Sequence, residues 1–393
     1  MEVKVRSGDS LWLYSQLFFV PLLLIIDSNR GVNPNGLHIG QTIKIPGFTE
    51  DRYTIRRGDT LWNIAQSRNL NIDTLLLLNQ NMNPNALQVG MTIRLPLRVT
   101  SFVVGDPSHY DFVRMRNDLR TLQEIYPFIS LQSAGNSVMD LPLYDARVGN
   151  GNRKVQMNAA FHANEWITTP VLMKFLNEYL LALTNGQNIS GVPALSLYTQ
   201  NQLSAIPMVN PDGVSLVLNG PPAGREAEVI ALNRGSTDFS GWKANIRGVD
   251  LNKQFPAKWE IERDRKPQEP GPRDFPGTRP LSEPETIAMA NLVRNESFAR
   301  LLALHTQGQE IYWGFEGLEP PESEVLANDF ARLSGYEAIR YVDSYAGYKD
   351  WFIQDFRRPG FTFELGLGQN PLPITQFDEI YAHMKPALVR ALM

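Results

Sequence analysis

Cysteine is absent from the 393-residue chain. Disulfides, thiolate ligands and thiol nucleophiles are therefore excluded, and any metal site must be built from His, Asp and Glu. Histidine is itself scarce, with five in the chain. Neither sign of charge is in large excess. The net charge of −4 argues against a nucleic-acid binder or any other general polyanion binder. A long apolar run is also missing. Leu17–Ile26, LFFVPLLLII, is strongly apolar but too short to span a bilayer. With Lys4 and Arg6 ahead of it, it has the look of a signal sequence. No small-residue cleavage site follows, however, and the run lies inside a repeat. No signal peptide and no membrane span are expected.

What is present is an ordinary globular balance, 43% hydrophobic and 20% charged, on a chain long enough for two or three domains. Residues 2–47 align with residues 52–97 at a constant offset of 50. VRSGDSLW (Val5–Trp12) falls on IRRGDTLW (Ile55–Trp62), and NPNGLHIGQTIKIP (Asn33–Pro46) on NPNALQVGMTIRLP (Asn83–Pro96). A register held over that length is a strong repeat signal. Each unit reads as strand, helix, helix, strand. Asp9 or Ser10, and Asp59 or Thr60, are placed to cap the first helices. Phe48–Asp51 reads as a short linker. The apolar residues of Leu17–Ile26 then become small-domain core, with a surplus for packing on a neighbour.

Beyond a second linker at Leu97–Val103, residues 104–393 alternate strands with helices, as a three-layer α/β/α domain does. Its centre is KVQMNAAFHANEW (Lys154–Trp166). Val155, Met157 and Ala159 alternate as in a buried strand, which breaks at His162. Thr169 as N-cap and Pro170 as first helical residue start a helix running to about Leu183. Leu203–Val209 is a strand ending in a turn, Asn210-Pro211-Asp212-Gly213. Leu301–Leu304 is a strand ending at His305, and Gly360–Leu365 a strand carrying Glu364. Ligands bind at such strand ends in open α/β sheets. A His and a Glu three residues apart can converge on one ion. Alone, that pair also describes a surface His beside a helix-start Glu. With His305 it makes three protein ligands and an open fourth position, the catalytic arrangement for zinc. Glu364 is the candidate to take a proton from water and return it to the leaving amine.

The repeats resemble LysM modules, on GD[ST]LW, the N-P turn and the late G-x-T-I-x-[IL]-P. The resemblance implies binding of GlcNAc-containing glycan, peptidoglycan or chitin. The alternative is that they are spacers or packing units. In residues 104–393, His-Ala-Asn-Glu (162–165), Asn-Pro-Asp-Gly (210–213), Gly-Val-Asp-Leu-Asn (248–252), His305 and Thr-Phe-Glu-Leu-Gly (362–366) stand in the order found in zinc carboxypeptidases of the carboxypeptidase A type. That resemblance implies a mixed sheet of about eight strands between helices. It makes His162, Glu165 and His305 the ligands of one Zn²⁺ and Glu364 the general base.

Departures from the family pattern accompany it. Lys243 stands where the family has an Arg that polarises the scissile carbonyl. Asn252-Lys253 stands on the Asn-Arg pair that grips a terminal carboxylate, and a Lys lacks the planar fork. Lys349, two residues before Trp351, falls where the family lines its side-chain pocket. Tyr345 is favoured over Tyr348 as the mobile Tyr.

Two LysM units ahead of such a domain resemble bacterial endopeptidases that cut muropeptide stems between γ-D-Glu and the diamino acid, Lys or diaminopimelate. The expected partners are peptidoglycan or muropeptides. The alternatives are an LD-carboxypeptidase or general carboxypeptidase and, in another class, a non-catalytic wall-binding protein. The expected location is the cytoplasm of a sporulating or muropeptide-recycling cell, or the wall after release. The boundaries are drawn at 2–47, 51–97 and 104–393.

Overall fold

The computed structural model describes all 393 residues. Its large domain is built on eight strands: β1 (Ser130–Asn136), β2 (Pro142–Val148), β3 (Arg153–Ala159), β4 (Asn201–Ile206), β5 (Phe298–His305), β6 (Glu310–Tyr312), β7 (Glu337–Ile339) and β8 (Gly360–Glu364). Their spatial order is β7-β6-β8-β5-β3-β4-β2-β1. The central run β8, β5, β3 and β4 is parallel, and β2 and β6 flank it antiparallel. The sheet is thus mixed.

The period of two along the strands separates two cores. Val155, Met157 and Ala159 of β3, Leu302 and Leu304 of β5, and Phe361 and Phe363 of β8 pack with helices Thr168–Thr184 and Phe377–Ala391. Leu301 and Ala303 face the other way, toward helices Pro284–Asn295 and Tyr348–Phe356. Alternate side chains point to opposite faces, so β5 needs an apolar residue at every position from Leu301 to Leu304.

Several local expectations are corrected. Thr169 is not an N-cap. The helix Thr168–Thr184 continues from a 3-10 turn, Ala163–Glu165, and Ile167 at its cap is already in the right-handed helical region. The hydroxyls are engaged elsewhere: Thr169 donates to the Pro207 carbonyl (2.6 Å) and Thr168 to that of Glu165 (2.8 Å). Asn210–Gly213 is a helix start rather than a free turn. Asn210 accepts from the Gly213 N–H at 3.0 Å, Pro211 opens the helix Pro211–Asn219, and the missing proline donor costs nothing there.

Each N-terminal unit has the expected strand, two helices and strand. Ser10 and Thr60 are the caps, accepting from Leu13 N–H and Asn63 N–H. The linker reading fails. Phe48–Asp51 is the start of a strand, Phe48–Thr54, paired along its length with Thr92–Arg98. The units also differ in their cores. The second has its own, around Ile55, Leu61, Ile64, Leu75, Ile93 and Leu95. The first shares one continuous cluster with the large domain, through Leu17, Phe18, Leu24 and Ile25 among others. Polar bonds cross the same seam, Gly47 N–H to the Ile125 carbonyl (2.8 Å) and Tyr198 hydroxyl to Asp27 (2.6 Å), and Arg98, at the end of the second unit's closing strand, donates to the Thr184 carbonyl (3.0 Å). Gly47 sits at φ +76°, and a Cβ there would lie 2.6 Å from that of Thr184. No single helix is long and apolar enough to cross a membrane. The helices Leu11–Phe18 and Leu22–Ser28, which carry the apolar run, are bent by 120° from one another.

At the β1–β2 turn, Glu285 accepts from Val138 N–H at 3.1 Å and lies beside Asp212 and Glu283, all three buried. Burial pushes the Glu285 carboxyl up to about 7, and the two neighbouring carboxylates add to the rise. A raised acid binds more protons folded than unfolded. Stability therefore falls as pH climbs from the unfolded value near 4.5 through 7. Glu285→Gln is expected to stabilise the protein at pH 8 by up to about 3 kcal/mol and to gain nothing below pH 4.5. Urea midpoints at the two pH values check this; equal shifts at both would show that folding does not raise the Glu285 carboxyl.

Candidate active site

The C-terminal ends of the parallel strands meet at one place. His162 follows β3, His305 ends β5 and Glu364 ends β8, where His305 and Glu364 are register partners. The 3-10 turn after His162 swings Glu165 back toward it. The Nδ1 atoms of His162 and His305 stand 3.1 Å apart, and the Glu165 oxygens lie 2.8 and 2.9 Å from them. These three buried residues could hold one metal ion. Two imidazole nitrogens with their lone pairs turned on one carboxylate are the donor set that Zn²⁺ takes.

The outer contacts orient these donors. Asp250 accepts from His162 Nε2 at 3.1 Å, leaving Nδ1 to face inward. Thr306 N–H donates to Glu165 at 3.2 Å. Burial alone would raise the Glu165 carboxyl, but the two imidazoles hold it well below the usual range. Asp250 is also lowered despite burial, chiefly by Lys243 and His162. Its second oxygen has no hydrogen-bond partner and faces the Lys243 ammonium at 3.7 Å.

Glu364 opens on a cleft of about 140 Å³ lined also by Asn252, Tyr312, Lys349, Asp350 and Thr362. Burial pushes its carboxyl up to about 8, Glu165 adds to the rise, and His162 and Lys243 oppose it. A second cavity, of about 480 Å³, shares Val342, Ser344, Lys349 and Asp350 with this cleft and extends it to Phe315, Tyr341 and Tyr345.

The remaining expected site residues are placed as follows. Asn252 accepts from Tyr348 N–H at 2.9 Å and reaches His305 at 3.5 Å. Lys253 is buried away from the cleft wall. It donates to Ser344 Oγ at 2.6 Å and pairs with Glu262 at 3.2 Å. Lys349 lines the cleft, yet its ammonium is already matched by Asp350 at 2.6 Å and the Gly314 carbonyl at 2.8 Å. Tyr345 lies half-buried on the cavity wall, near the Arg265 and Lys258 cations. Tyr348 is packed between Phe161, Phe255 and Trp351, with its hydroxyl buried and unpartnered.

Sequence reasoning assigned no role to Asp250 or Asp350. Asp250 lay in plain view inside Gly-Val-Asp-Leu-Asn (248–252). Nothing in the sequence marked Asp350 as the partner of its neighbour.

On the N-terminal units, Trp12 (62% exposed) and Trp62 (64%) occupy equivalent positions, as do the exposed Ile39 and Val89. Exposed apolar residues thus recur at matching positions in the two repeats.

Residues 115–386 match the zinc carboxypeptidase family, and residues 3–46 and 53–96 each match the LysM domain. The chain is 61% identical over 383 residues to gamma-D-glutamyl-L-diamino acid endopeptidase 1 of Lysinibacillus sphaericus, covering 97% of each. It is 49% identical to the protein YqgT of Bacillus subtilis (strain 168), over 72% of this chain and 77% of that one. The structure of bovine thrombin-activatable fibrinolysis inhibitor in complex with tick carboxypeptidase inhibitor has the same fold. The TM-score is 0.57 at 20% identity, over 73% of this chain and 97% of that one.

Proposed function

The chain belongs to the zinc carboxypeptidase family, and from that premise we propose that it hydrolyses the amide between γ-D-Glu and the diamino acid of peptidoglycan stem peptides. The likeness to the Lysinibacillus sphaericus endopeptidase, which runs through both LysM domains and the peptidase domain, carries this reading. His162, Glu165 and His305 would hold the zinc. When bound, it lowers the pKa of water and polarises the scissile carbonyl. Glu364 takes the water proton and passes it to the leaving amine. Lys243, held by Asp250, meets the carbonyl oxygen. Asn252, Tyr345 and Lys349 contact the amine-side residue, and Lys349 brings Asp350 with it.

Lys253 supports cleavage within the stem over removal of a terminal residue. A carboxypeptidase grips the substrate's free carboxylate with a cation at this place, and Lys253 is committed to Glu262 and Ser344. The exposed Trp12–Ile39 and Trp62–Val89 pairs support glycan binding by the LysM domains. The substrate is wall-derived, so the protein works on recycled or sporulation-stage muropeptides or on the wall itself; cell fractionation tests this.

Mass spectrometry of products from defined tri-, tetra- and pentapeptide stems tests the reading. Scission after γ-D-Glu is expected in all three, abolished by a chelator and restored by zinc. Release of only the terminal Ala would support the LD-carboxypeptidase instead. No cleavage under any metal condition would leave a wall-binding protein.

A further inference from the structure

Beside Lys243, and separate from the Glu364 cleft, the loop 266–274 and the segment 231–234 enclose a cavity of about 600 Å³. Its polar lining is Arg234, Gln268, Glu269, Arg273 and Asp274. A chain of charges joins it to the metal ligands. Asp250 bridges His162 (3.1 Å) and Lys243 (3.7 Å), and Asp274 lies between Lys243 (4.0 Å) and Arg273 (3.7 Å). The loop is tied to the site through its backbone as well, since Lys243 and Ala244 both donate to the Pro272 carbonyl. The two cavities share no lining residue.

Chemistry assigns the sides. The leaving amine must lie at Glu364, which protonates it, so the amine-side residue occupies the cleft with Lys349. The scissile carbonyl must turn its oxygen to Lys243, so the acyl-side residue extends past Lys243 toward Asp274.

We propose that the cavity formed by loop 266–274 and Arg234 is the acyl-side subsite, and that Arg273 and Arg234 bind the free α-carboxylate of the γ-D-glutamyl residue. This rests on the function proposed above. A γ-linked glutamyl residue differs from an ordinary α-linked one in carrying a carboxylate and an amide N–H on the same carbon. Recognising that carbon needs a cation and an acceptor side by side. Arg273 and Arg234 supply planar donor forks suited to a carboxylate, and Glu269 or the Gln268 amide oxygen accepts the N–H. Both Arg residues are exposed, so the cavity is reached from solvent and their replacement leaves the core intact.

The experiment compares two stems with the full-length zinc-loaded protein: L-Ala-γ-D-Glu-diaminopimelate and the same peptide with the α-carboxylate amidated. The wild type is expected to favour the free acid about tenfold in kcat/KM, and 0.5 M NaCl to shrink that preference by screening. Arg234→Ala with Arg273→Ala is expected to raise KM for the free acid about tenfold with kcat little changed. It should leave the amidated stem within about twofold. Arg273→Lys alone should keep part of the preference. Equal losses on both stems, no loss on either, or a wild type indifferent to amidation would overturn the subsite and leave the peptidase reading standing. Failure of the wild type to cut either stem would remove both.

Discussion

Glu364→Gln is expected to lower kcat on a defined stem peptide by about 10²–10⁴ while zinc content and substrate binding stay near those of the wild type. The prediction follows from where β8 ends. Glu364 is the register partner of His305, so its carboxylate reaches the cleft beside the metal ligands without being one of them. Glutamine has the same shape and can still accept a hydrogen bond from water. It cannot take a proton at neutral pH, nor return one to an amine. The neutral isostere also leaves no new buried charge, so the fold should be unaffected. Metal analysis and steady-state kinetics on the same preparation decide the matter. Near-normal kcat would remove Glu364 from the reaction. A fall in zinc content matching the fall in rate would make its role one of holding the ligand set.

Removing both LysM domains, to leave residues 104–393, is expected to unfold or severely destabilise the peptidase domain. Activity should then fall on small soluble stems as much as on intact sacculi. The first LysM domain is not a tethered module. Its core residues Leu17, Phe18, Leu24 and Ile25 belong to the cluster that includes Ile125, Tyr126, Phe128, Tyr179 and Leu183 of the large domain. Truncation would expose the large domain's side of that seam. Each large apolar side chain returned to water costs about 1.5–3 kcal/mol. Three or four such losses consume most of a net stability of about 5–15 kcal/mol. The bonds of Ile125, Thr184 and Tyr198 to Gly47, Arg98 and Asp27 are lost as well. The second LysM domain has a core of its own, so Trp62→Ala with Val89→Ala should weaken binding to sacculi and leave soluble-stem kinetics alone. Thermal unfolding of the fragment, with kinetics on both substrates, separates the two roles. A fragment that melts near the full-length protein and cuts soluble stems normally would show that the first domain serves only to bind glycan.

The chemistry of the site was legible in the sequence because it depends on residue types at strand ends. With no Cys and five His, few metal sites could be written, and the alternation around Val155–Ala159 and the continuous apolar run Leu301–Leu304 pointed to the strands that carry His162 and His305. The 50-residue repeat was legible for a similar reason, since a register is a property of the chain alone. What stayed hidden is what depends on a partner distant in sequence. The hydroxyls of Thr168 and Thr169 could cap a helix or bond elsewhere, and only the approach of the Ala160 and Pro207 backbone decided for the second. Lys253 and Lys349 read alike as cations beside a zinc site. Folding gave the first to Glu262 and Ser344 and turned the second onto the Gly314 carbonyl beside Asp350, and contacts set by packing cannot be read from spacing. In the same way Leu17–Ile26 announced that it must be buried but not against what. The surface that covers it was brought there by helix Thr168–Thr184 and its neighbours, more than a hundred residues further on.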